Sequence, residues 1–448
     1  MKRFDVLVVG SGAGLEVASY ATEKGMSVAI VEEGPLGGTC LNRGCIPSKM
    51  LIHSADVAET IKSSKKFGIE SKIEGINFAS IVKRVNQIVD TDSQNIEKSI
   101  REAGNPILYK VRGKFIGHKK MQVGNEQIEA NKVFIVGGTR PSVPPIPGLE
   151  NTPYLDSTKA LRLEKQPKHM VIIGGGYIAA ELAHFYGALG TKITMLVRGE
   201  RMLDNEDEEI ADWFIREFSQ KYKILFNTEA EAVSYQGNKF NIKLKGKEEK
   251  LVADQLLVAT GRVPNTDILD VKATGVEMND KGFIKVNKYL ETNIKDIWSF
   301  GDIIGILPFR HTANDQIGFS INNAFVDKKD PFDPFAIGHA VFSSPQIGGV
   351  GKTEQELKKE GIKYKVGKSE LKDTGMGGAL QKNGLAKVLS DEQDNILGVH
   401  IIGPEASILI HEAIVAMKGN GKVEAIKSSV YIHPALSEWL QRAFFAIE

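Results

Sequence analysis

Residues 4–14 read FDVLVVGSGAG, an apolar run that leads into three glycines at alternate positions. The apolar part predicts a buried strand, and helical spacing separates it from a second strand at residues 28–31. In such a unit, glycines let the backbone turn tightly and approach a pyrophosphate, which lies at the positive N-terminal end of the helix. Three residues are assigned to this turn: Gly10, Gly12 and Gly14.

This first glycine motif lacks the third glycine of the usual dinucleotide fingerprint but has the acidic residue that follows it. The third glycine would stand at position 15, which is Leu15. Glu32 ends the second strand, about twenty residues on, where a carboxylate accepts hydrogen bonds from the ribose of an adenosine. We therefore expect an adenine dinucleotide here rather than an ordinary glycine-rich turn.

The same pattern returns in the middle of the chain. An apolar run at residues 171–173 leads into three consecutive glycines, and a further strand is predicted at residues 193–197. Gly174, Gly176 and Ala179 match the fingerprint, because alanine also satisfies the close helix packing required at its third position. The repeat predicts two dinucleotide sites.

The second site lacks an acid at the end of its second strand. That strand ends in Val197 and Arg198, and Arg201 follows closely. A carboxylate there would favour the free ribose of NAD, whereas guanidinium groups bind a 2′-phosphate through paired hydrogen bonds. The sequence therefore favours NADPH, with NADH still possible, and two solvated surface arginines are the alternative interpretation.

The composition limits the class of protein. A chain of 448 residues is too long for one ordinary core, so two or three domains are expected. Basic and acidic residues number 57 and 56, which gives no field suited to nucleic acid or an anionic membrane. No apolar run reaches the roughly 18 residues that span a bilayer, and the run at residues 6–9 is too short for a signal peptide. We expect a cytoplasmic protein that acts on small molecules.

Proline-rich segments mark two expected boundaries. Residues 140–148 contain four prolines and predict a stiff connection, and residues 330–335 precede a C-terminal region. That region has the periodicity of an α+β module. Its strands are predicted at residues 347–350, 386–389 and 396–402, and its helices at residues 406–418 and 434–444.

The chain contains two cysteines, Cys40 and Cys45, within the sequence GGTCLNRGCIPSK at residues 37–49. Two cysteines this close together cannot form the framework of a secreted disulfide scaffold, and they indicate a working pair. The spacing alone leaves two buried structural thiols as an alternative. A disulfide between them needs α-carbons within about 7 Å, which a distorted turn at Gly44 permits.

Residues 37–49 resemble the redox motif of the class I pyridine nucleotide-disulfide oxidoreductases, the family of glutathione reductase, dihydrolipoamide dehydrogenase and mycothione reductase. The resemblance covers nearly the whole chain, and the non-glycine Leu15 and the C-terminal HPALSE are most similar to mycothione reductases. Further matching motifs are ATGR at residues 259–262, Gly301-Asp302 after an apolar strand, and His433-Pro434.

Two segments depart from the family pattern. Gly137-Gly138 stands where Thr-Gly is common, and Asp315-Gln316 follows His311 where an acid and glycine are common. These departures concern local contacts to the flavin and leave the expected fold unchanged.

The resemblance implies an α/β fold with two Rossmann-like dinucleotide-binding domains plus a C-terminal α+β dimerisation domain. Residues 1–148 and 261–330 would form a discontinuous FAD-binding domain, residues 149–260 an NAD(P)H-binding domain, and residues 331–448 the dimerisation domain. The implied assembly is a homodimer with shared active sites. Further cofactor contacts are expected from Gly38, Thr39, Gly261 and Asp302.

The resemblance also implies catalytic roles. Cys45 would be the thiolate that faces the flavin, and Cys40 the interchange thiol that forms a mixed disulfide with the substrate. Lys49 would favour the reduced flavin and pair with Glu181, whereas Tyr177 would cover the flavin until the nicotinamide arrives. A surface salt bridge and core packing are the respective alternatives.

Thiol exchange needs a proton shuttle near neutral pH, for which histidine is the natural side chain. His433 stands five residues before Glu438, a carboxylate able to orient the imidazole. A lone histidine is more often structural. The resemblance implies that His433 is catalytic and that it reaches the cysteine pair of the partner subunit.

The sequence as a whole predicts an FAD-dependent reductase that passes electrons from NADPH to a low-molecular-weight disulfide. A dihydrolipoamide dehydrogenase, linked to NAD⁺ and to a large complex, is the alternative, and the missing acid at Val197 argues against it. A redox-inert nucleotide-binding protein is a further alternative, against which the intact cysteine pair argues. No metal site, nucleic acid or membrane is expected among its partners.

Overall fold

The computed structural model describes residues 1–326 and 329–448, and the N-terminal part builds most of the first sheet. Its elements are β1 (Lys2–Val9), α1 (Gly14–Glu23), β2 (Val28–Val31), α2 (Gly38–Arg43), α3 (Cys45–Ser63), α4 (Phe78–Ala103), β3 (Ile107–Tyr109), β4 (Gly113–Gly117), β5 (Lys120–Val123), β6 (Glu126–Ile135) and β7 (Thr139–Pro141). Strand β1 pairs in parallel with β2 on one side and β6 on the other. A strand buried on both faces is a continuous hydrophobic run, which is why FDVLVV predicts it.

The middle of the chain repeats this arrangement. Its elements are α5 (Ser157–Ala160), β8 (His169–Ile173), α6 (Tyr177–Ala188), β9 (Lys192–Leu196), α7 (Glu208–Lys221), β10 (Lys223–Leu225), β11 (Ala230–Gln236), β12 (Lys239–Leu244), β13 (Lys250–Ala253) and β14 (Gln255–Val258). A parallel sheet has the order β10-β9-β8-β14, and β11, β12 and β13 form a separate antiparallel sheet. In the first sheet and in this one, the glycine turn follows the carboxyl end of an interior strand with parallel neighbours, where open α/β sheets bind dinucleotides.

The chain then returns to the first sheet. The elements of this part are β15 (Arg262–Pro264), β16 (Ile297–Ser299) and α8 (Arg310–Phe325). Strand β16 pairs in parallel with β6, which brings the first sheet to seven strands. Strand β15 pairs with β7, so the proline-rich connection predicted at residues 140–148 begins as a paired strand.

The C-terminal part is an antiparallel sheet with helices. Its elements are β17 (His339–Val341), β18 (Gln346–Gly351), α9 (Glu354–Glu360), β19 (Lys365–Glu370), α10 (Gly375–Leu380), β20 (Leu385–Ser390), β21 (Ile396–Gly403), α11 (Ala406–Lys418), α12 (Glu424–Lys427) and α13 (Ser437–Phe445). The strand order is β17-β18-β21-β20-β19, and the expected α+β module is confirmed.

One expected helix begins later than predicted. The helix predicted from residue 434 begins at Ser437, and just before it the Ala435 N–H donates to the Glu438 carboxylate at 2.9 Å. Among the described residues, no helix is both long and apolar enough to cross a membrane.

A buried lysine ties the C-terminal sheet to the middle of the chain. Lys387 on β20 has 1% of its side chain exposed, and its Nζ lies 2.8 Å from Asp207, 3.2 Å from Glu209 and 2.6 Å from Glu354. Asp207 caps α7 and is fully buried. Because interior charges are tolerated only when they are paired, this cluster holds α7 and α9 against the sheet.

Replacing this lysine, Lys387→Met, should lower the free energy of unfolding by about 3–5 kcal/mol, since it leaves the buried Asp207 carboxylate without its ion-pair partner. Chemical denaturation followed by circular dichroism measures the change. The matched control is Lys368→Met, because Lys368 pairs with Glu209 from the facing position on β19 but is 45% exposed. The control should cost less than about 1 kcal/mol. Equal losses in the two variants would contradict the prediction.

Candidate active site

The two cysteines flank a break between helices. Helix α2 ends at Arg43, α3 begins at Cys45, and Gly44 between them has φ −144° and ψ −119°. A β-carbon on Gly44 would come within 2.9 Å of the Thr39 carbonyl oxygen, so a side chain does not fit there. The Cys40 and Cys45 thiols stand on either side of this break, and both are free.

The two thiols differ in acidity. The hydrogen bond from Cys40 and the nearby ammonium of Lys49 lower the pKa of Cys45 to about 7, against the opposing effect of burial. The same hydrogen bond, together with burial, raises the pKa of Cys40. Cys45 is therefore the more acidic thiol of the pair, and Cys40 keeps its proton near neutral pH.

An ion pair holds the cysteine helix against the helix of the second glycine turn. Lys49 Nζ lies 2.9 and 2.8 Å from the two carboxylate oxygens of Glu181, which is 8% exposed. The Phe342 N–H donates to the same carboxylate at 3.1 Å, and the Lys49 ammonium lies 4.5 Å from the centroid of the Phe342 ring. The pair thus joins α3, α6 and the end of β17, unlike an isolated surface salt bridge.

Both glycine turns open on one cavity of about 2550 Å³. A β-carbon on Gly10 would lie 2.5 Å from the Val136 carbonyl oxygen, and one on Gly38 would lie 2.6 Å from the Gly12 α-carbon. Side chains are therefore excluded at Gly10 and Gly38, which lets the backbone there approach a phosphate closely. These residues fit the diphosphate of FAD.

Of the other residues expected at the first turn, Glu32 and Thr39 line the same cavity and Gly14 does not. Glu32 accepts hydrogen bonds from the Ser11 N–H and hydroxyl at 3.0 and 2.9 Å and from the Gly34 N–H at 2.7 Å, which fixes its carboxylate at the cavity wall. Gly14 begins α1 so close to the sheet that a β-carbon would lie 2.6 Å from the Val8 side chain. Thr39 also lines the cavity.

The Gly301-Asp302 turn lines this cavity and depends on one of the departures from the family pattern. Asp302 accepts a hydrogen bond from the Thr139 hydroxyl at 3.1 Å, and burial raises the pKa of Asp302. Gln316 is fully buried and accepts a hydrogen bond from the Gly301 N–H at 2.8 Å. The other departure places Gly138 at φ 65°, a backbone conformation that favours glycine.

Sequence reasoning missed Arg310, which begins α8 and lines the cavity. Its Nη1 lies 3.7 Å from the position of a β-carbon built on Gly12, and the described residues provide its guanidinium with no ion pair or hydrogen bond. A free guanidinium beside a phosphate-binding turn fits a diphosphate. No linear motif marks Arg310, because only the fold brings it to the turn.

The second glycine turn is equally tight. Gly174 has φ 133°, and a β-carbon there would lie 2.2 Å from the Ala259 carbonyl oxygen. Gly176 precedes α6, and Tyr177 is the first residue of that helix. Gly261, with φ 116°, also lines the cavity.

The two arginines expected at a 2′-phosphate both line the cavity but differ in their surroundings. Arg198 is exposed. The Arg201 guanidinium is engaged by Asp212 at 2.8 Å and by Glu208 at 3.4 Å. Arg198 is therefore the freer of the two to bind an incoming phosphate.

His433 and Glu438 lie together but away from the cysteines of their own chain. His433 Nδ1 lies 2.9 Å from Glu438 Oε1, and 76% of the His433 side chain is exposed. The Ala435 N–H and His433 lower the pKa of Glu438. Neither His433 nor Glu438 is among the residues that line the cavity.

Comparisons with known proteins agree with this arrangement. Residues 4–316 match the family described as pyridine nucleotide-disulphide oxidoreductase, and residues 337–444 match its dimerisation domain. The chain is 32% identical to mycothione reductase of Mycobacterium tuberculosis, with all of both chains covered. It is 33% identical to the mitochondrial dihydrolipoyl dehydrogenase 1 of Arabidopsis thaliana, over 99% of this chain and 90% of that protein.

A solved structure is similar over the whole chain as well. The HOCl-induced flavoprotein disulfide reductase RclA of Escherichia coli superposes with a TM-score of 0.89 at 28% identity, covering 99% of this chain and 100% of that one.

The acidity of Cys45 generates a prediction for the reduced protein. Alkylation of Cys45 by iodoacetamide, followed by mass spectrometry of its peptide, should accelerate as the pH rises through about 7, because only the thiolate reacts. Lys49→Met should move this midpoint to higher pH, since the ammonium no longer favours the thiolate. Lys62→Met, a change at the far end of α3, is the control and should leave the midpoint in place. An unchanged midpoint in Lys49→Met would show that Lys49 does not lower the pKa of Cys45.

Proposed function

We propose that this chain, which belongs to the pyridine nucleotide-disulphide oxidoreductase family, reduces a low-molecular-weight disulfide with electrons from NADPH. One observation carries the proposal: the cysteine pair and both glycine turns line a single cavity, so that two dinucleotides and a dithiol meet in one space. Relatives in this family use FAD and NAD(P)H, and the tight first turn with Glu32 and Arg310 suits the FAD.

The chemistry divides between the cofactors and the cysteines. FAD, when bound, supplies two-electron transfer between the nicotinamide and the disulfide. The Cys40–Cys45 disulfide takes up two electrons and one proton as its S–S bond breaks. Cys45 then stands as the thiolate and Cys40 as the thiol, because Cys45 is the more acidic of the two. The ammonium of Lys49 keeps the charge on Cys45.

The substrate disulfide is reduced through a mixed disulfide. His433 of the partner subunit takes the proton from Cys40, whose sulfur attacks the substrate, breaks its S–S bond and releases one thiol that receives the proton. The Cys45 thiolate then attacks the Cys40 sulfur, which re-forms the Cys40–Cys45 bond and expels the second half of the substrate as a thiolate. This thiolate takes up one proton from the solvent and becomes the second thiol. In total, NADPH, one proton and a disulfide give NADP⁺ and two thiols.

A panel of disulfides tests this function directly. The FAD-loaded protein is assayed with NADPH and NADH against mycothione, glutathione disulfide, bis-γ-glutamylcystine and lipoamide. We expect the highest kcat/KM with NADPH and one of the three soluble thiol disulfides. A preference for lipoamide with the NAD⁺/NADH couple would instead establish the dihydrolipoamide dehydrogenase alternative.

The nucleotide preference gives a second prediction. Arg198→Gln should lower kcat/KM for NADPH about ten- to a hundredfold and leave the value for NADH nearly unchanged, because only NADPH has a 2′-phosphate. Arg201→Gln should have the smaller effect, since Asp212 and Glu208 already engage its guanidinium. An unchanged ratio of NADPH to NADH in Arg198→Gln would make Arg198 a solvated surface residue.

The shared site gives a third prediction. His433→Gln should leave reduction of the flavin by NADPH intact and slow disulfide turnover about 10²-fold or more, the scale of a lost general acid or base. Cys40→Ser should also be inactive with disulfides. After subunit exchange, a mixture of the two should recover about a quarter of wild-type activity, because half of the dimers are mixed and each holds one complete site. Mixtures that exchange fully and stay inactive would exclude a shared site.

A further inference from the structure

Tyr177, at the mouth of the second glycine turn, is tied through its hydroxyl to a buried carboxylate. The Tyr177 hydroxyl donates a hydrogen bond to Glu206 Oε1, and the other oxygen of Glu206 lies 2.9 Å from His339 Nε2. Glu206 lies between β9 and α7, whereas His339 begins β17 in the C-terminal sheet. We call the Glu206 carboxylate and the His339 imidazole the Glu206–His339 latch.

Burial makes the latch strong. Glu206 is 1% exposed, so its carboxylate is stabilised by the protein groups that donate hydrogen bonds to it and not by water. Burial raises the pKa of a carboxyl group, but hydrogen bonds from His339 and Tyr177 hold the pKa of Glu206 below its usual value. Burial and Glu206 together raise the pKa of Tyr177, so its hydroxyl keeps the proton that it donates. Loss of either donor would leave the carboxylate poorly compensated.

Tyr177 lies close to the second glycine turn and to the helix of the redox pair. Tyr177 and Glu181 are one turn apart on α6, and Glu181 binds Lys49, which is one turn after Cys45 on α3. Tyr177 thus follows the second glycine turn directly and is joined to the helix of the redox pair through Glu181 and Lys49. It lines the cavity that the proposed function gives to the nicotinamide.

The ring is also held by stacking. The Tyr177 ring lies nearly parallel to those of Phe309 and His339, at 16° and 12°, with centroids 6.1 and 6.2 Å away. Phe309 and His339 likewise line the cavity. Stacking alone lets a ring slide, whereas the hydrogen bond to Glu206 fixes the end of the side chain.

We propose that Glu206 and His339 are positioning residues that hold Tyr177 across the nicotinamide end of the cavity, so that each arriving nicotinamide must break the Tyr177–Glu206 hydrogen bond. This inference rests on the proposed function. The latch lowers the fraction of molecules that are open to the nucleotide. The apparent dissociation constant rises by the inverse of that fraction. A molecule without the latch binds the nucleotide more tightly.

Calorimetric titration of the oxidised, FAD-loaded protein with NADP⁺ tests the latch without any disulfide substrate. Tyr177→Phe keeps the ring and its stacking but loses the hydrogen bond, so it should bind NADP⁺ about tenfold more tightly than the wild type. The matched control is Tyr186→Phe on the same helix, which removes a buried hydroxyl that donates to the Ala160 carbonyl at 2.6 Å. The control should bind NADP⁺ as the wild type does.

Two variants of Glu206 separate the latch from a general structural role. Glu206→Gln retains an acceptor for the Tyr177 hydroxyl and should stay within about threefold of the wild type, whereas Glu206→Leu should resemble Tyr177→Phe. A purely structural defect would weaken NADP⁺ binding instead of strengthening it. NADP⁺ binding by Tyr177→Phe that is unchanged or weaker, or an equal gain in Tyr186→Phe, would overturn the latch.

Failure of the proposed function has a different signature. In that case neither NADPH nor NADH reduces the flavin of the wild-type protein, whatever the variants do. If the wild-type flavin is reduced but Tyr177→Phe shows no gain in NADP⁺ affinity, the latch alone is wrong.

Discussion

The ion pair between Lys49 and Glu181 joins the helix of the cysteines to the helix of the second glycine turn, and the geometry of the candidate site depends on it. On α3 the pair is one turn from Cys45, and on α6 it is one turn from Tyr177. A contact of 2.8 Å between the charged ends therefore fixes the thiolate and the Tyr177 ring relative to each other. Because Glu181 is nearly buried, either partner alone would be a poorly compensated charge, and this keeps the two helices in register.

The adjacent residues Glu206 and Asp207 are buried acids that contact the C-terminal sheet through polar partners. Glu206 is held by Tyr177 and His339, and Asp207 is held by Lys387. Both acids are buried, so each needs its partner, and the partners come from different parts of the chain. The nucleotide end of the cavity is thereby connected to the sheet that precedes His433. Placement of the Tyr177 ring thus depends on how the C-terminal part packs against the middle of the chain.

Local patterns predicted the elements well and the polar contacts poorly. The strand at residues 28–31 and the helix at residues 406–418 have the bounds read from the sequence, since hydrophobic periodicity records which face is buried. Glu206 stands in the acidic run DNEDEE, which is typical of a solvated helix start, and Lys387 resembles any surface lysine of a strand. Their burial arises from packing between distant segments, as does the position of Arg310. The domain bounds stay predictions. So do the catalytic roles, because those roles depend on cofactors and a partner subunit that no local pattern describes.

The central claim is that Cys40 and Cys45 exchange electrons with a flavin bound at the first glycine turn. Anaerobic titration of the FAD-loaded protein with two electron equivalents of NADPH, with absorbance and free thiols measured together, tests it most directly. The account predicts that two thiol groups appear while the flavin ends oxidised, with the long-wavelength absorbance of a Cys45 thiolate in contact with it. Bleaching of the flavin with no new thiol would contradict the claim.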